Sequence, residues 1–185
     1  MIFFCFNLSA DPFWKSTEKV YRRIQEERAV IISVKEKDGQ LILEGGGQVN
    51  TPLDFTFHQA MRFENLKEAI EQEKDVHMEG DKLFIESVAF GFSVKMWVKI
   101  DPTPNQKMHY EVVDGRFKGA KGDVTFEKIS ALKTEVGIAG NLGNPDIPVP
   151  KLLAEFGIEA ILQRVGLLLR AHYESKYKEG SNVGR

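Results

Sequence analysis

The stretch "FGFSVKMWVKI", residues 90–100, decides how this chain folds. Phe90, Phe92, Val94, Met96, Val98 and Ile100 fall on one side of an extended chain, and Ser93, Lys95, Trp97 and Lys99 on the other. That period of two is the mark of a strand with one dry face and one largely wet face. A sheet with one dry face must bury it against another layer, so the rest of the chain has to supply a cover.

The neighbouring segments repeat the pattern. "VHMEG", "KLFIESV", "KMHYEVVDG", "KGDVTFEKI" and "LKTEVGIAG" each predict a strand, separated by the short turns "EGD", "DPTPNQ", "DGR" and "SA". Connections this short imply an antiparallel meander. Upstream, "AVIISVKEKDGQLILEGGGQVN" predicts a hairpin turning at Asp38-Gly39, with a bulge or sharp bend at the triple glycine 45–47. Residues 12–28 predict a helix with an apolar stripe of Trp14, Val20, Tyr21 and Ile24, capped by Ser16 or Thr17. Pro52 and Asp54 open a short helix, and a second covers Leu66 to Ile70.

The cover comes at the end. After Pro148 and Pro150, apolar residues at 152, 153, 156, 160, 161, 165, 168 and 169 keep helical spacing. Glu155, Glu159, Gln163, Arg164 and Arg170 interrupt any run long enough to span a bilayer, so no transmembrane helix is predicted. The polar tail is expected to fray. The predicted fold is therefore α+β: a curved antiparallel sheet of six to seven strands wrapped on a long C-terminal helix. Residues 1–40 add an N-terminal helix and strand, 41–177 form the main domain, and 178–185 are the tail.

Composition narrows the function. The 185 residues are 42% hydrophobic, with 13 Phe, and the net charge is −2 with no basic block, which argues against nucleic acid as a partner. The single Cys5 excludes an intramolecular disulfide and a Cys-clustered metal site. The four His are scattered, and no phosphate-loop, dinucleotide, hydrolase or zinc-protease motif is present, so no metal or cofactor is expected. The opening "MIFFCFNLSA" is too short to cross a bilayer and lacks a basic start; it reads as an apolar segment packed on a cytoplasmic protein. The "LSAD" that ends it leaves the remnant of a signal region, and hence a cell-envelope location, as the alternative.

The order of elements resembles the START-like, helix-grip superfamily, which includes polyketide cyclase-like and coenzyme-Q-binding proteins. "GGGQVNTPLDFTFHQAM" (45–61) is similar to the family's first strand and first short helix, with Val49, Pro52 and Phe57 at its apolar and proline positions. "GDVTFEKISALKTEVGIAG" (122–140) resembles the paired late strands, with Thr134 in the usual Gly-Thr step and Lys133 departing from the Gly. "PKLLAEFGIEAILQRVGLLLRAHYES" (150–175) is similar to the closing helix, Glu174 standing at a family-typical Glu. The resemblance covers residues 41–175. It implies a hydrophobic pocket for lipids, isoprenoids, polyketides or sterols, and no shared catalytic residue.

Combining the two readings, the candidate pocket wall is Phe57, Phe90, Phe92, Val94, Met96, Val98 and Tyr110 together with Leu153, Phe156, Ile161 and Val165. The same residues would also make a filled core. Tyr110 shares the dry face with Met108 and Val112, and its hydroxyl needs a partner. No catalytic residue is assigned; Tyr110 and His58 are the only acid–base candidates, and they do not form a convincing pair. The expected function is binding or transport of a hydrophobic, lipid-like molecule. A cyclase or dehydratase using the same pocket, or a protein-interaction module, are the alternatives.

Overall fold

The computed structural model describes residues 12–69, 73–89, 92–145, 147 and 149–183. The N-terminal segment "MIFFCFNLSA" and Phe90 lie outside the described residues. Two short helices, α1 (Phe13–Ser16) and α2 (Glu18–Glu26), precede the hairpin β1 (Ile31–Lys37) and β2 (Gln40–Val49). Helices α3 (Leu53–Ala60) and α4 (Glu64–Ala69) follow. The meander is β3 (Glu73–Glu79), β4 (Lys82–Ala89), β5 (Phe92–Thr103), β6 (Lys107–Gly115), β7 (Lys121–Ser130) and β8 (Lys133–Asn141), and α5 (Lys151–Val183) closes the chain. The eight strands form one antiparallel sheet in the order β1-β2-β8-β7-β6-β5-β4-β3. It is curved and not closed, so β1 and β3 are its edges.

The predicted alternation holds where it was clearest. In β5, Val94 and Val98 are buried and Ser93, Lys95 and Lys99 are exposed. The opposite face carries a cross-strand aromatic row: His77 pairs with Phe84, and Phe84 with Trp97, their ring centroids 4.7 Å apart in the second pair. The bulge falls elsewhere than expected. β2 pairs in unbroken register with β1 as far as Gly46 and with β8 through Gly45, Gly46 and Gly47. β6 instead carries a bulge at Val113, opposite the Trp97–Val98 step of β5. Gly115 has φ +100°, and a Cβ there would lie 2.1 Å from the Lys95 carbonyl oxygen, so only glycine fits.

The glycines of β2 admit neighbours rather than bend the strand. Gly46 pairs with Gly137 of β8, and the buried Trp14 lies against both; a Cβ on Gly46 would sit 2.8 Å from the indole. The helix predicted over 12–28 breaks at Thr17, whose extended backbone (φ −100°, ψ 101°) separates α1 from α2. Beside Trp14, Lys15 lies 2.8 Å from the fully buried Glu135, which also accepts from the Gln48 amide at 3.2 Å. Burial alone would lower the Lys15 pKa, but the Glu127 and Glu135 carboxylates outweigh it and raise it.

α5 meets the sheet through the free edge of β1. The Glu159 carboxylate accepts from the Val34 amide at 2.7 Å, and Glu155 accepts from Glu36 at 3.0 Å. The Gln163 amide donates to the Val30 carbonyl at 2.9 Å, and the Arg170 guanidinium donates to the Arg28 carbonyl. Positions 155, 159 and 163 stack on successive turns of one helix face. The strand anticipated as an N-terminal addition is thus the sheet edge on which α5 is docked. One turn further, Glu174 accepts from Asn50 and pairs with Arg28. Burial opposes ionisation of Glu174, but these two partners lower its pKa.

This docking turns the helix away from the predicted stripe. Ala154, Ile158 and Tyr173 are buried and Leu162, Val165 and Leu169 half-buried, a stripe four, four, three, four and four residues apart. Leu153 and Phe156 are 57% and 70% exposed, and Ile161 is 38% exposed. Residues 152–169 are apolar almost all round, so periodicity alone does not choose a face; the polar residues that grip β1 do. The helix also runs on to Val183, through most of the tail expected to fray. Replacing Glu159 with Ala removes the acceptor of the buried Val34 amide and is expected to cost about 1–3 kcal/mol in urea denaturation, whereas Glu159→Gln, which keeps an acceptor oxygen, should cost less.

Candidate functional site

A pocket of about 280 Å³ lies between α5 and the sheet. Its sheet side is Gly47 and Val49 of β2, Leu83 of β4, Met108 of β6, Val124 and Phe126 of β7, and Val136 and Ile138 of β8. Leu162, Val165, Gly166, Leu169 and Tyr173 of α5 face them, and Phe63 and Leu66 close one end. The register explains the wall. Val124 pairs with Ile138 and Phe126 with Val136, placing these side chains on one face of neighbouring strands. Val136 pairs in turn with Gly47, which presents no side chain. Val30 wedges between Gly47 and Gly166: a Cβ on either glycine would come 3.2 Å and 3.0 Å from it. Space remains beyond that contact.

Of the residues singled out from the sequence, Val165 lines this pocket. Phe57 is buried one layer behind it, edge-to-face on the pocket residue Phe126 with centroids 5.2 Å apart. Val98 belongs to a packed cluster with Val76, Leu83, Val112 and Ala120, against which Met96 and Tyr110 rest. Val94 is buried on the same side of β5. Phe92 contributes its backbone to β5, and its side chain lies outside the described residues. Leu153, Phe156 and Ile161 point to the surface. The β5 face is core, and the open space lies towards β2, β8 and β7. The alternation in "GDVTFEKI" and "LKTEVGIAG" marks Val124, Phe126, Val136 and Ile138 equally well; what the sequence lacked was a sign of where packing stops.

The Tyr110 hydroxyl points inward, as its strand position implies, but has no hydrogen-bond partner among the described residues. It sits above the Gly122–Gly140 pair, 2.2 Å from where a Cβ on Gly140 would lie. Burial, with a smaller effect of the Asp123 charge, pushes its pKa up to about 12. His109 faces outward and bonds Asp123 at 3.0 Å. His58 is exposed on α3, and His172 lies between α5 and α4, 3.3 Å from Asn65 Oδ1. Neither Tyr110 nor His58 lines the pocket. Among the described residues, no group of three or more His, Cys, Asp or Glu is placed to hold a metal ion, and no helix is long and apolar enough to cross a membrane.

No family model and no curated protein matches the sequence. Solved structures do match the fold. A START superfamily protein from Mycobacterium smegmatis aligns with a TM-score of 0.63 at 13% identity, covering 72% of this chain and 97% of its own. The chain has the START-like helix-grip fold. A Thermus thermophilus protein aligns equally well, with a TM-score of 0.63, 15% identity, and coverage of 73% of this chain and 98% of its own. The Zhui aromatase/cyclase from a Streptomyces species gives a TM-score of 0.60 at 11% identity, covering 75% and 96%. In this helix-grip chain the buried phenol of Tyr110 is left unsatisfied, and its removal should not hurt. Tyr110→Phe is expected to leave stability unchanged or raise it by about 1 kcal/mol, read from the urea midpoint.

Proposed function

We propose that this helix-grip protein binds a hydrophobic, lipid-like small molecule in the pocket between α5 and strands β2, β8 and β7. The supporting observation is the wall itself, made by Val49, Met108, Val124, Phe126, Val136, Ile138, Leu162, Val165 and Leu169. Such a wall offers a ligand little but removal from water. That contributes about 25 cal/mol per Å² of apolar surface, before the cost of association. Met108 suits the role because its unbranched thioether adapts to irregular shapes. The pocket is near the small end of ligand sites, which supports a compact or single-chain ligand.

Binding is favoured over cyclase or dehydratase chemistry. Acid–base catalysis needs a group that titrates within reach of the ligand; the Tyr110 hydroxyl and His58 lie off the pocket wall, and burial keeps the Tyr173 phenol, which lines it, protonated. A protein-interaction role is a second reading, supported by Leu152, Leu153 and Phe156, which stand exposed together at the start of α5. Native mass spectrometry of the purified protein tests the first reading directly. Val165→Trp, which fills the pocket from the helix side, is expected to weaken binding of a hydrophobic reporter dye by at least about tenfold, or about 1.4 kcal/mol, with the far-UV spectrum unchanged. Undiminished dye binding in that variant would place the ligand elsewhere.

A further inference from the structure

The pocket wall is apolar but for Gln48, Arg62 and Arg170, the last brought in by α5. This guanidinium is half-buried and carries five N–H donors. Among the described residues it makes one hydrogen bond, to the Arg28 carbonyl, and no carboxylate lies within 4 Å of it. The other cations beside the pocket already have counter-charges. Arg28 pairs with Glu174, which the Asn50 amide also occupies, and Arg62 pairs with Glu64 at 3.0 Å. Gln48, the other amide on the wall, is taken by Glu135. Arg170 is therefore a permanent charge beside an apolar pocket without a carboxylate of its own. Burial and the nearby Arg28 charge lower its pKa, Glu174 only partly offsetting them, so the site as it stands disfavours the cation it holds.

A second group points the same way. Tyr173 lies three residues on, on the same side of α5, and also lines the pocket. Its side chain is buried between α5 and the pocket. Burial raises its pKa, which keeps the phenol protonated and able to donate.

We infer that the pocket takes a one-tailed amphiphile with an anionic head, a carboxylate or phosphate, gripped by Arg170 and Tyr173 while the tail lies along Leu162, Val165, Val136 and Ile138. This rests on the pocket-binding reading and adds the chemistry of the ligand's head. A guanidinium matches either oxyanion with two parallel hydrogen bonds.

The test compares dodecanoate, dodecyl phosphate and dodecanol by calorimetry, below their aggregation limits. The two anions are expected to bind at least about tenfold more tightly than the alcohol. In Arg170→Met the ratio of anion to alcohol binding should fall to about one, and in Tyr173→Phe it should fall severalfold. Should Arg170→Met fail to fold, the wild-type protein decides alone: dodecanoate binding must fall as the pH drops through the carboxylate range, and dodecanol binding must not. Equal binding of acid and alcohol, or equal loss of both in the folded Arg170→Met protein, overturns the anion-head inference and leaves apolar binding standing. Failure of all three compounds to bind overturns the pocket reading as well. A strong preference between the two anions identifies the head group.

Discussion

The free edge of β1 is where this structure is held together. An edge strand presents backbone amides and carbonyls that must find partners. Here the partners are not another strand but helix side chains: Glu155, Glu159, Gln163 and Arg170 reach across from α5 to Glu36, Val34, Val30 and Arg28. Two needs are met at once. The sheet edge is closed to further pairing, and the long helix is fixed in position and rotation. Its buried stripe, its exposed face and the space beneath it all follow from that rotation.

Glycine decides how near the layers come. On one face of β2, Gly46 and its partner Gly137 open a groove that Trp14 fills, tying the N-terminal helices to the sheet. On the other, Gly47 and Gly166 let Val30 wedge between strand and helix. Close contact at Val30 and wide separation beyond it leave the pocket over β8 and β7. At the far side of the sheet, the β3–β6 residues Val76, Leu83, Val98 and Val112 pack into solid core. The dry face is therefore continuous, while its occupation by protein atoms is not.

This division bears on chemistry. The helix-grip fold is shared with a START superfamily protein and with an aromatase/cyclase, and a fold of this kind hosts different activities through the residues at its pocket. In this chain the wall is aliphatic and aromatic, and its ionisable edge is cationic. Such a wall supports the proposed binding role over acid–base chemistry.

Much of this was legible from residue order alone. The period-two alternation gave every strand of the meander, Asp38-Gly39 gave the hairpin, and the closing apolar run gave the helix that covers the sheet, because these features depend on neighbours two to four residues apart. The site was legible only in part. Val165 lies on the pocket wall, whereas Val94 and Val98 of β5 are buried in the core and Leu153, Phe156 and Ile161 face solvent. A helix apolar on nearly every side carries no mark of which side is buried, and Glu159 reads as an interruption until the Val34 amide is seen beside it. Chain order thus determined the elements and their pairing through local periodicity and turn chemistry. The rotation of α5 was decided by contacts between residues more than 100 positions apart, and the role of the glycines and the place where packing gives way to open space by contacts between separate elements, none of which the linear pattern encodes.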